Sequence, residues 1–297
     1  MHANRILPPA TALSAGRRMV LGGMAASLIA GLRGAPAVAA DAVAVGMIPD
    51  AGATQVSIEQ KAPLRDYLAG ALGAPVKLVI PTSYNATVEA LGNGSLDFAY
   101  LGGLTYVKAH ARYGVIPLVQ RRIDQQFHSL FITQGGSAIR TLTDLKGRSF
   151  AFGDINSTSG HLMPYRAMVQ AGIDPDKDLK WFRYTGSHAA TVQAVAAGIA
   201  DAGACDETVF HGLIASGKVD GKALRVFHTT PAFVDYVWVA RKDAAPALQA
   251  TFAKAFLSLT PSHDAALLAI LRGKAFVRAD DAEYDAIREV ARKLQMV

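Results

Sequence analysis

The chain has 297 residues, 51% of them hydrophobic, and a formal net charge of +6. This length allows one large domain or two lobes, each with a buried core. The single cysteine, Cys205, excludes an internal disulfide, and the same count excludes a zinc site built from cysteine and histidine ligands. We therefore expect no metal and no cofactor.

The first forty residues have the features of a secretory signal peptide. Paired arginines precede a short apolar run of small residues at 19–32, and residues 35–40 offer A-x-A cleavage sites. A retained membrane anchor is disfavoured, because Arg33 interrupts that run. We expect residues 1–40 to be removed after export by the Sec or the twin-arginine route, which leaves a soluble periplasmic product.

Removing this segment changes the charge argument. Residues 1–40 contain four arginines and no acidic residue, so 26 basic and 24 acidic residues remain and the net charge falls from +6 to +2. A strongly basic protein would indicate nucleic acid as a partner, and this argument is lost. No nucleic-acid partner is expected.

Strands and helices alternate along the next sixty residues. The pattern predicts a strand at 43–48, a helix ending near 72, a strand at 74–80, a helix at 86–92 and a strand at 96–101. Loops at 49–55 and 81–85 follow the first two strands. This alternation is typical of βαβ units and predicts an α/β fold with a parallel sheet.

The same order returns later in the chain. Residues 83–101 align without gaps on 187–205, and seven of the nineteen positions are identical. The repeat predicts two similar α/β lobes. Ligands of open α/β sheets bind beyond the carboxyl ends of the strands, so both sets of loops should line one cleft, with Tyr84 and His188 on opposite walls.

Two crossings should join the lobes. Residues 127–133 are predicted as the first crossing, and an apolar segment at 229–239 as the return. The remaining helices, predicted at 244–257, 262–271 and 282–294, should pack on the first lobe. The predicted boundaries are 41–133 and 233–297 for the first lobe and 134–232 for the second, with two crossings acting as a hinge.

Three consecutive alcohols lie where a helix should begin. Ser157, Thr158 and Ser159 follow a predicted strand at 149–152 and precede Pro164, which suits a first helical turn. A helix start has unpaired N–H donors and a partial positive charge, so the three hydroxyls could surround a small tetrahedral anion. The alternative is that one serine merely caps the helix.

Several motifs resemble those of the substrate-binding proteins of phosphate, phosphite and phosphonate ABC transporters. They are Tyr100-Leu-Gly-Gly-Leu-Thr-Tyr-Val, Ser157-Thr-Ser-Gly, Gly186-Ser-His and Asp201-Ala-Gly-Ala. The resemblance implies a type II periplasmic-binding-protein fold, a small oxyanion ligand and ABC permease subunits as partners. Segments such as Ser159-Gly-His-Leu-Met-Pro look closer to a selenate-binding branch, and a sister branch contains arsenite sensors that act with histidine kinases.

The resemblance also implies a set of site residues. Ser157, Thr158 and Ser159 would hold the oxyanion, and His188 would close over it. The first lobe would contribute Tyr84, and Asp235 would match an aspartate near the return crossing. Apart from the resemblance, Thr105 is a candidate because it lies at another predicted helix start of the first lobe. Further possible contacts are Leu101, Gly160, Cys205 and Asp206. Leu101-Gly-Gly and Ala189 depart from the pattern of many relatives, and the ligand stays open among phosphate, phosphite, phosphonate, selenate and arsenite.

Each candidate has a structural alternative. His188 and Thr105 could be helix-capping residues, and Tyr84 a surface aromatic. Cys205 is expected to be a small buried hydrophobe, with an arsenite-binding thiolate as the alternative. Asp235 would repel a fully ionised ligand but could accept the hydrogen of a protonated one. The arginines at 121, 122 and 140 are expected to be solvated rather than to bind ligand.

Three functions follow from these residues. The first is a monomeric, non-enzymatic binding protein that delivers an oxyanion to a permease. The second is a sensor that presents the same closed form to a kinase. The third, an exported hydrolase using serine and histidine, is disfavoured because the chain has no G-x-S-x-G motif.

Overall fold

The computed structural model describes residues 42–52 and 58–297. The predicted signal peptide lies outside these residues, and the described residues all belong to one compact unit. In this part of the chain, no helix has the length and apolar character that a membrane crossing requires.

The described elements alternate as predicted. The strands are β1 (Val43–Met47), β2 (Val76–Val79), β3 (Phe98–Leu101), β4 (Ile116–Arg121), β5 (Ser129–Gln134), β6 (Ser149–Phe152), β7 (Trp181–Tyr184), β8 (Ala202–Asp206), β9 (Leu224–Thr229), β10 (Val237–Ala240) and β11 (Phe276–Arg278). The α-helices are α1 (Ala62–Leu72), α2 (Tyr84–Gly92), α3 (Gly103–Tyr113), α4 (Met163–Gln170), α5 (Pro175–Asp178), α6 (His188–Ala196), α7 (Glu207–Ala215), α8 (Pro246–Leu257), α9 (Ala265–Ile270) and α10 (Asp285–Lys293).

Two sheets form the two lobes. The first has the order β11-β4-β10-β3-β1-β2 and the second the order β7-β6-β8-β5-β9. In each, a central strand pairs in parallel with two neighbours, β1 with β2 and β3, and β6 with β7 and β8. An antiparallel strand, β10 or β5, follows in each sheet. The predicted pair of α/β lobes is confirmed.

The two crossings lie side by side. Phe127 and Phe233 form an isolated antiparallel bridge, with N–H to carbonyl distances of 2.8 and 3.0 Å. The sequence places the first crossing at 127–133, but Ser129–Gln134 is already β5, bonded to strands on both sides. A short apolar, β-favouring stretch does not distinguish an extended linker from a strand, so the sequence places this crossing too late.

The C-terminal helices pack on the first lobe, as predicted. Phe252 of α8 stacks on Phe98 of β3 with ring centroids 4.0 Å apart, and Phe256 lies 4.8 Å from Trp238 of β10. The second lobe has one apolar cluster that includes Val192 and a separate one that includes Phe150. These cores hold the strand ends, and therefore the loops beyond them, in fixed positions.

Candidate ligand-binding cleft

The alcohol segment begins a helix in an unusual way. Thr158–Leu162 forms a π-helical turn that leads into α4. Pro164 has no N–H, so it cannot bond the carbonyl of Gly160, and this carbonyl accepts the N–H of Gly153 at 2.9 Å instead. The close approach leaves no room for a side chain, because a Cβ on Gly160 would lie 2.9 Å from Cε1 of His188.

The three alcohols have different partners. The Ser157 hydroxyl accepts the N–H of Gly160 at 3.0 Å, so it does cap the turn. Oγ1 of Thr158 accepts the N–H of Leu104, on the first lobe, at 2.9 Å. The Ser159 hydroxyl is buried and has no partner among the described residues. Capping therefore explains one alcohol of the three.

The repeat builds matching helix starts in the two lobes. Ser83 caps α2 by accepting the N–H of Ala86 at 3.1 Å, and Ser187 caps α6 by accepting the N–H of Ala190 at 3.2 Å. The cap in each lobe is thus a serine rather than the residue after it, which is Tyr84 or His188. The side chain of the preceding serine, and not His188, is the cap, but the ring of His188 does have a partner at each nitrogen, as the structural alternative expects.

Tyr84 is a buried donor without a partner. Its side chain is 1% exposed, which excludes the surface alternative, and its hydroxyl has no hydrogen-bond partner among the described residues. Burial, followed by the nearby carboxylates, with Asp50 first, raises the pKa of Tyr84 well above its ordinary value. The phenol therefore keeps its proton and can donate it to an anion.

His188 is buried and held by both ring nitrogens. Nδ1 accepts the N–H of Asp206 at 3.2 Å, and Nε2 lies 3.1 Å from the Tyr236 hydroxyl and 3.5 Å from Oγ of Ser157. Burial lowers the pKa of His188, so the ring is neutral. Because Nδ1 accepts, the proton belongs on Nε2, which is a hydrogen-bond donor beside the alcohol segment.

Asp235 lies against the start of α3. Its Oδ1 accepts the N–H of Gly103 at 2.9 Å, and its Oδ2 has no partner among the described residues. Burial raises the pKa of Asp235 to about 7, although the Gly103 N–H and the Thr158 hydroxyl act to lower it. Near neutral pH the carboxyl can therefore donate a hydrogen bond in its protonated form or accept one in its ionised form.

Asp206 is the corresponding carboxylate of the second lobe. It caps α7, with Oδ1 accepting the N–H of Val209 at 2.9 Å, while Oδ2 has no partner among the described residues. Burial alone would raise the pKa of Asp206, but the nearby charge of Arg272 is the first of several effects that lower it to about 2. Asp206 is therefore ionised.

The other candidates lie around this group. The Thr105 hydroxyl donates to the carbonyl of Asn156 at 2.9 Å, across the cleft, and α3 has no side-chain cap, so the capping alternative is wrong. Leu101 belongs to the first apolar core. Cys205 packs in the apolar cluster with Val192, and burial raises the pKa of its thiol. This environment supports the buried-hydrophobe interpretation.

Sequence reasoning missed three residues of the cleft. Asp50 and Arg272 form a partly buried ion pair, and the Tyr236 hydroxyl bonds His188. Asp50 lies in a loop that the strand order assigned to the cleft, whereas nothing in the sequence around Arg272 indicates its place. The expectation that Arg121 is solvated is wrong, since it is 1% exposed and pairs with Asp124.

The cleft is closed by direct bonds between the lobes. The N–H of His188 donates to the carbonyl of Asp50 at 2.9 Å. Nζ of Lys108 donates to Oδ1 of Asn156 at 2.7 Å. Together with the Leu104 and Thr105 contacts, these bonds bring loops from both sheets onto one buried polar site.

The fold and the cleft define a class of protein: two α/β lobes that close on a buried polar site, as in periplasmic binding proteins of the type II fold. The model of one family, described as ABC transporter, phosphonate, periplasmic substrate-binding protein, matches residues 45–284, and the chain belongs to this family. The predicted family and fold are confirmed.

Two relatives have related names. The chain is 31% identical over 248 residues to the probable ABC transporter phosphite binding protein PhnD1 of Prochlorococcus marinus, a match that covers 77% of this chain and 82% of that protein. It is 26% identical over 251 residues to the phosphate-import protein PhnD of Mycolicibacterium smegmatis, with coverage of 77% and 78%.

Solved structures support the fold. PhnD1 of Prochlorococcus marinus in complex with methylphosphonate has a TM-score of 0.80 and 30% identity, covering 86% of this chain and 99% of that one. The binding protein component of an ABC phosphonate transporter from Pseudomonas aeruginosa has a TM-score of 0.77 at 22% identity, covering 86% and 87%. The second likeness concerns the fold alone.

Proposed function

We propose that this protein binds a small tetrahedral phosphorus oxyanion, such as phosphite, phosphate or methylphosphonate, in the cleft between its lobes. The observation that carries the proposal is that the buried polar atoms without partners among the described residues include the hydroxyls of Tyr84 and Ser159 and Oδ2 of Asp235. Native proteins rarely bury polar groups unpaired, so a ligand that pairs them is expected.

The donors would surround the anion with neutral hydrogen bonds. The hydroxyls of Ser157 and Ser159 approach from the second lobe and the Tyr84 phenol from the first. The Nε2–H of His188 would be shared between the anion and the Tyr236 hydroxyl, which lies 3.1 Å away. Asp235, whose pKa burial raises to about 7, would share a proton with a ligand oxygen. Leu101, Gly160 and Cys205 would shape the site rather than contact the ligand through polar atoms.

The residue limits of the lobes are part of the proposal. The first lobe would comprise residues 42–126 and 234–297, and the second 128–232, with the Phe127–Phe233 bridge as the hinge. The boundary predicted after residue 133 thus moves to the start of β5. Ligand would favour the closed form through its greater affinity for that form.

The family and the names of the relatives support delivery to an ABC permease rather than to a sensor kinase. We propose a monomer that reaches the periplasm through its N-terminal segment and has no catalytic activity. A hydrolase is disfavoured because both ring nitrogens of His161 have partners, the Ile155 carbonyl at 2.8 Å and the Tyr184 hydroxyl at 2.9 Å. That histidine is not free to activate Ser159.

Calorimetric titration against an anion panel tests the function. The panel is phosphite, methylphosphonate, phosphate, selenate, arsenite and sulfate, and thermal unfolding of the same samples measures stabilisation. We expect a phosphorus oxyanion to bind most tightly and to raise the unfolding temperature, because a ligand of the native state stabilises that state. Failure of every phosphorus oxyanion to bind would refute the proposal, and tightest binding of selenate would favour the branch named in the sequence analysis.

A further inference from the structure

Arg272 has a backbone conformation that usually belongs to glycine. It follows α9 with φ +53, and its N–H donates to the Ala269 carbonyl while the Gly273 N–H donates to the Leu268 carbonyl, both at 3.1 Å. This is the Schellman ending of a helix, in which glycine is favoured at the left-handed position. An arginine is less favourable than glycine in this conformation, so its side chain should contribute elsewhere.

The Arg272 guanidinium is directed at the cleft. It forms an ion pair with Asp50, whose side chain is 6% exposed, and the carbonyl of Asp50 accepts the N–H of His188 at 2.9 Å. Arg121 helps to hold the backbone of Arg272 in place, because its Nη1 donates to the Arg272 carbonyl at 3.2 Å. One side chain thus fixes the loop that meets the first residue of α6.

The cleft also contains several carboxylates, and Arg272 partly offsets their negative charge. The carboxylates of Asp50, Asp154, Asp206 and Asp235 all lie around the Tyr84 phenol and would repel an anion. His188 is neutral. Burial alone would lower the pKa of Arg272, but Asp50 and then Asp206 outweigh it and raise that pKa, so the guanidinium is charged between carboxylates from the two lobes.

We propose that Arg272 is the positioning residue of the cleft. It holds the Asp50 loop in place for the bond with His188, and it offsets the negative charge of Asp50 and Asp206, so that an anion can be bound by neutral donors. The inference rests on the proposed function, since it explains how a site rich in carboxylates binds an oxyanion without a direct cation ligand. Arg272 acts through its neighbours and does not contact the ligand.

The variant Arg272→Gly separates this role from a structural one. Glycine suits the left-handed position, so the helix ending should be kept, and circular dichroism would show that the variant is folded even though loss of the Asp50 partner lowers its unfolding temperature. We expect affinity for the tightest-binding anion of the panel to fall about tenfold or more, because the closed form is less populated. Amide hydrogen exchange at His188 should become faster in the ligand-free protein, since its acceptor loop is released.

Two further variants serve as controls. Gln295 has φ +56 at the end of α10, so Gln295→Gly makes the same backbone change and should leave affinity and exchange at His188 unchanged. Arg272→Lys keeps the charge and should bind within about threefold of the wild type.

The outcomes separate the two proposals. Wild-type affinity together with unchanged His188 exchange in Arg272→Gly would overturn the role of Arg272, as would a lysine variant that binds as weakly as the glycine variant. If the wild type bound no phosphorus oxyanion, the proposed function would fail, while exchange at His188 would still decide whether Arg272 holds the Asp50 loop.

Discussion

The two copies of the internal repeat, residues 83–101 and 187–205, build the same scaffold from the same bonds. In each, a serine caps the helix, and a threonine four residues later donates its hydroxyl to the carbonyl of that serine at 3.2 Å. In each, the aspartate at the end of the repeat accepts a backbone N–H of the central strand, Ala44 for Asp97 at 2.9 Å and Ser149 for Asp201 at 2.8 Å.

The copies differ at the first helical residue. His188 has a partner for each ring nitrogen, whereas the hydroxyl of Tyr84 has none among the described residues. The first residue of the matched helix is therefore part of a hydrogen-bond network in the second lobe, where it is His188. In the first lobe it is Tyr84, whose hydroxyl lacks a partner among the described residues. If both residues bind the ligand as proposed, we expect His188 to contribute to stability as well as to binding, and Tyr84 to binding alone.

A second pair extends the comparison to the next helix start in each lobe. After β8 the carboxylate comes from the helix cap itself, Asp206, whereas after β3 the cap is Gly102 and the carboxylate comes from Asp235 on the return crossing. The pKa of Asp206 is lowered to about 2 and that of Asp235 is raised to about 7. The two carboxyl groups thus have opposite pKa shifts at matched places, so that near neutral pH Asp206 is ionised and Asp235 is only partly ionised.

The largest effect is expected for His188→Ala. Removing the ring leaves the Asp206 N–H and the Tyr236 hydroxyl without their buried partner and opens a cavity, so the free energy of unfolding should fall by about 2–4 kcal/mol. Urea unfolding followed by circular dichroism measures this loss. A change below about 0.5 kcal/mol, within the range of ordinary surface substitutions, would show that the His188 network contributes little to stability.

The matched carboxylates predict opposite dependences on pH. A carboxyl whose pKa is raised on folding contributes stability below its unfolded value, and this contribution is lost as the pH rises, so Asp235→Asn should stabilise the ligand-free protein at pH 8 more than at pH 5. Asp206 has a lowered pKa and contributes stability at neutral pH, which is lost as the pH falls towards 2, so Asp206→Asn should destabilise the protein at pH 7.

Unfolding by urea at pH 5, 7 and 8 compares the two variants. The asparagine at position 206 can still cap α7, so the loss of charge is tested apart from the loss of the cap. If the free energies of unfolding of the two variants changed with pH in the same direction, the opposite pKa shifts of Asp206 and Asp235 would be contradicted.

Tyr84→Phe should affect binding without affecting stability. The phenol hydroxyl is buried and unpaired, so its removal should leave the free energy of unfolding unchanged or slightly raised, whereas affinity should fall about tenfold for one lost hydrogen bond to a charged ligand. Calorimetry and thermal unfolding of the same sample separate the two effects. Reduced stability in the ligand-free variant would mean that the hydroxyl has a structural partner.

The smallest effects are expected for the two serine caps, and they test whether the repeat is equally stabilising in the two lobes. Ser83→Ala and Ser187→Ala each remove one cap, so each should lower the free energy of unfolding by about 1 kcal/mol, and by similar amounts. Urea unfolding of the two variants side by side makes the comparison. Losses that differ by more than about twofold would show that the matched hydrogen bonds do not have equal value in the two lobes.

Much of the fold could be predicted because local pattern and global fold agree in the repeat. The helix predicted at 86–92 and the strands predicted at 96–101 and 149–152 lie close to where the sequence places them. Strands β4, β9 and β11 were missed. Their pairing partners come from distant parts of the chain, so their extended conformation depends on tertiary contacts that local pattern does not show.

The candidate site could be predicted in part. The alcohols and His188 follow from helix starts, which are local, and their positions agree with the expectation. The Arg272–Asp50 pair joins distant parts of the chain, and Arg121 is buried where it donates to the carbonyls of Leu271 and Arg272 at the end of α9. No local signal marks a buried arginine, and the base rate for arginine favours the surface, so these were missed.

The central claim is that the alcohol segment binds a small oxyanion, and titration of Ser157→Ala/Ser159→Ala tests it most directly. The anion that binds the wild type most tightly would be titrated into this variant and into Ser95→Ala/Ser262→Ala, which removes two exposed hydroxyls. We expect about a hundredfold loss of affinity in the first variant and none in the second, because two hydrogen bonds to an anion are lost. Wild-type affinity in the first variant, with its fold intact by circular dichroism, would contradict the claim.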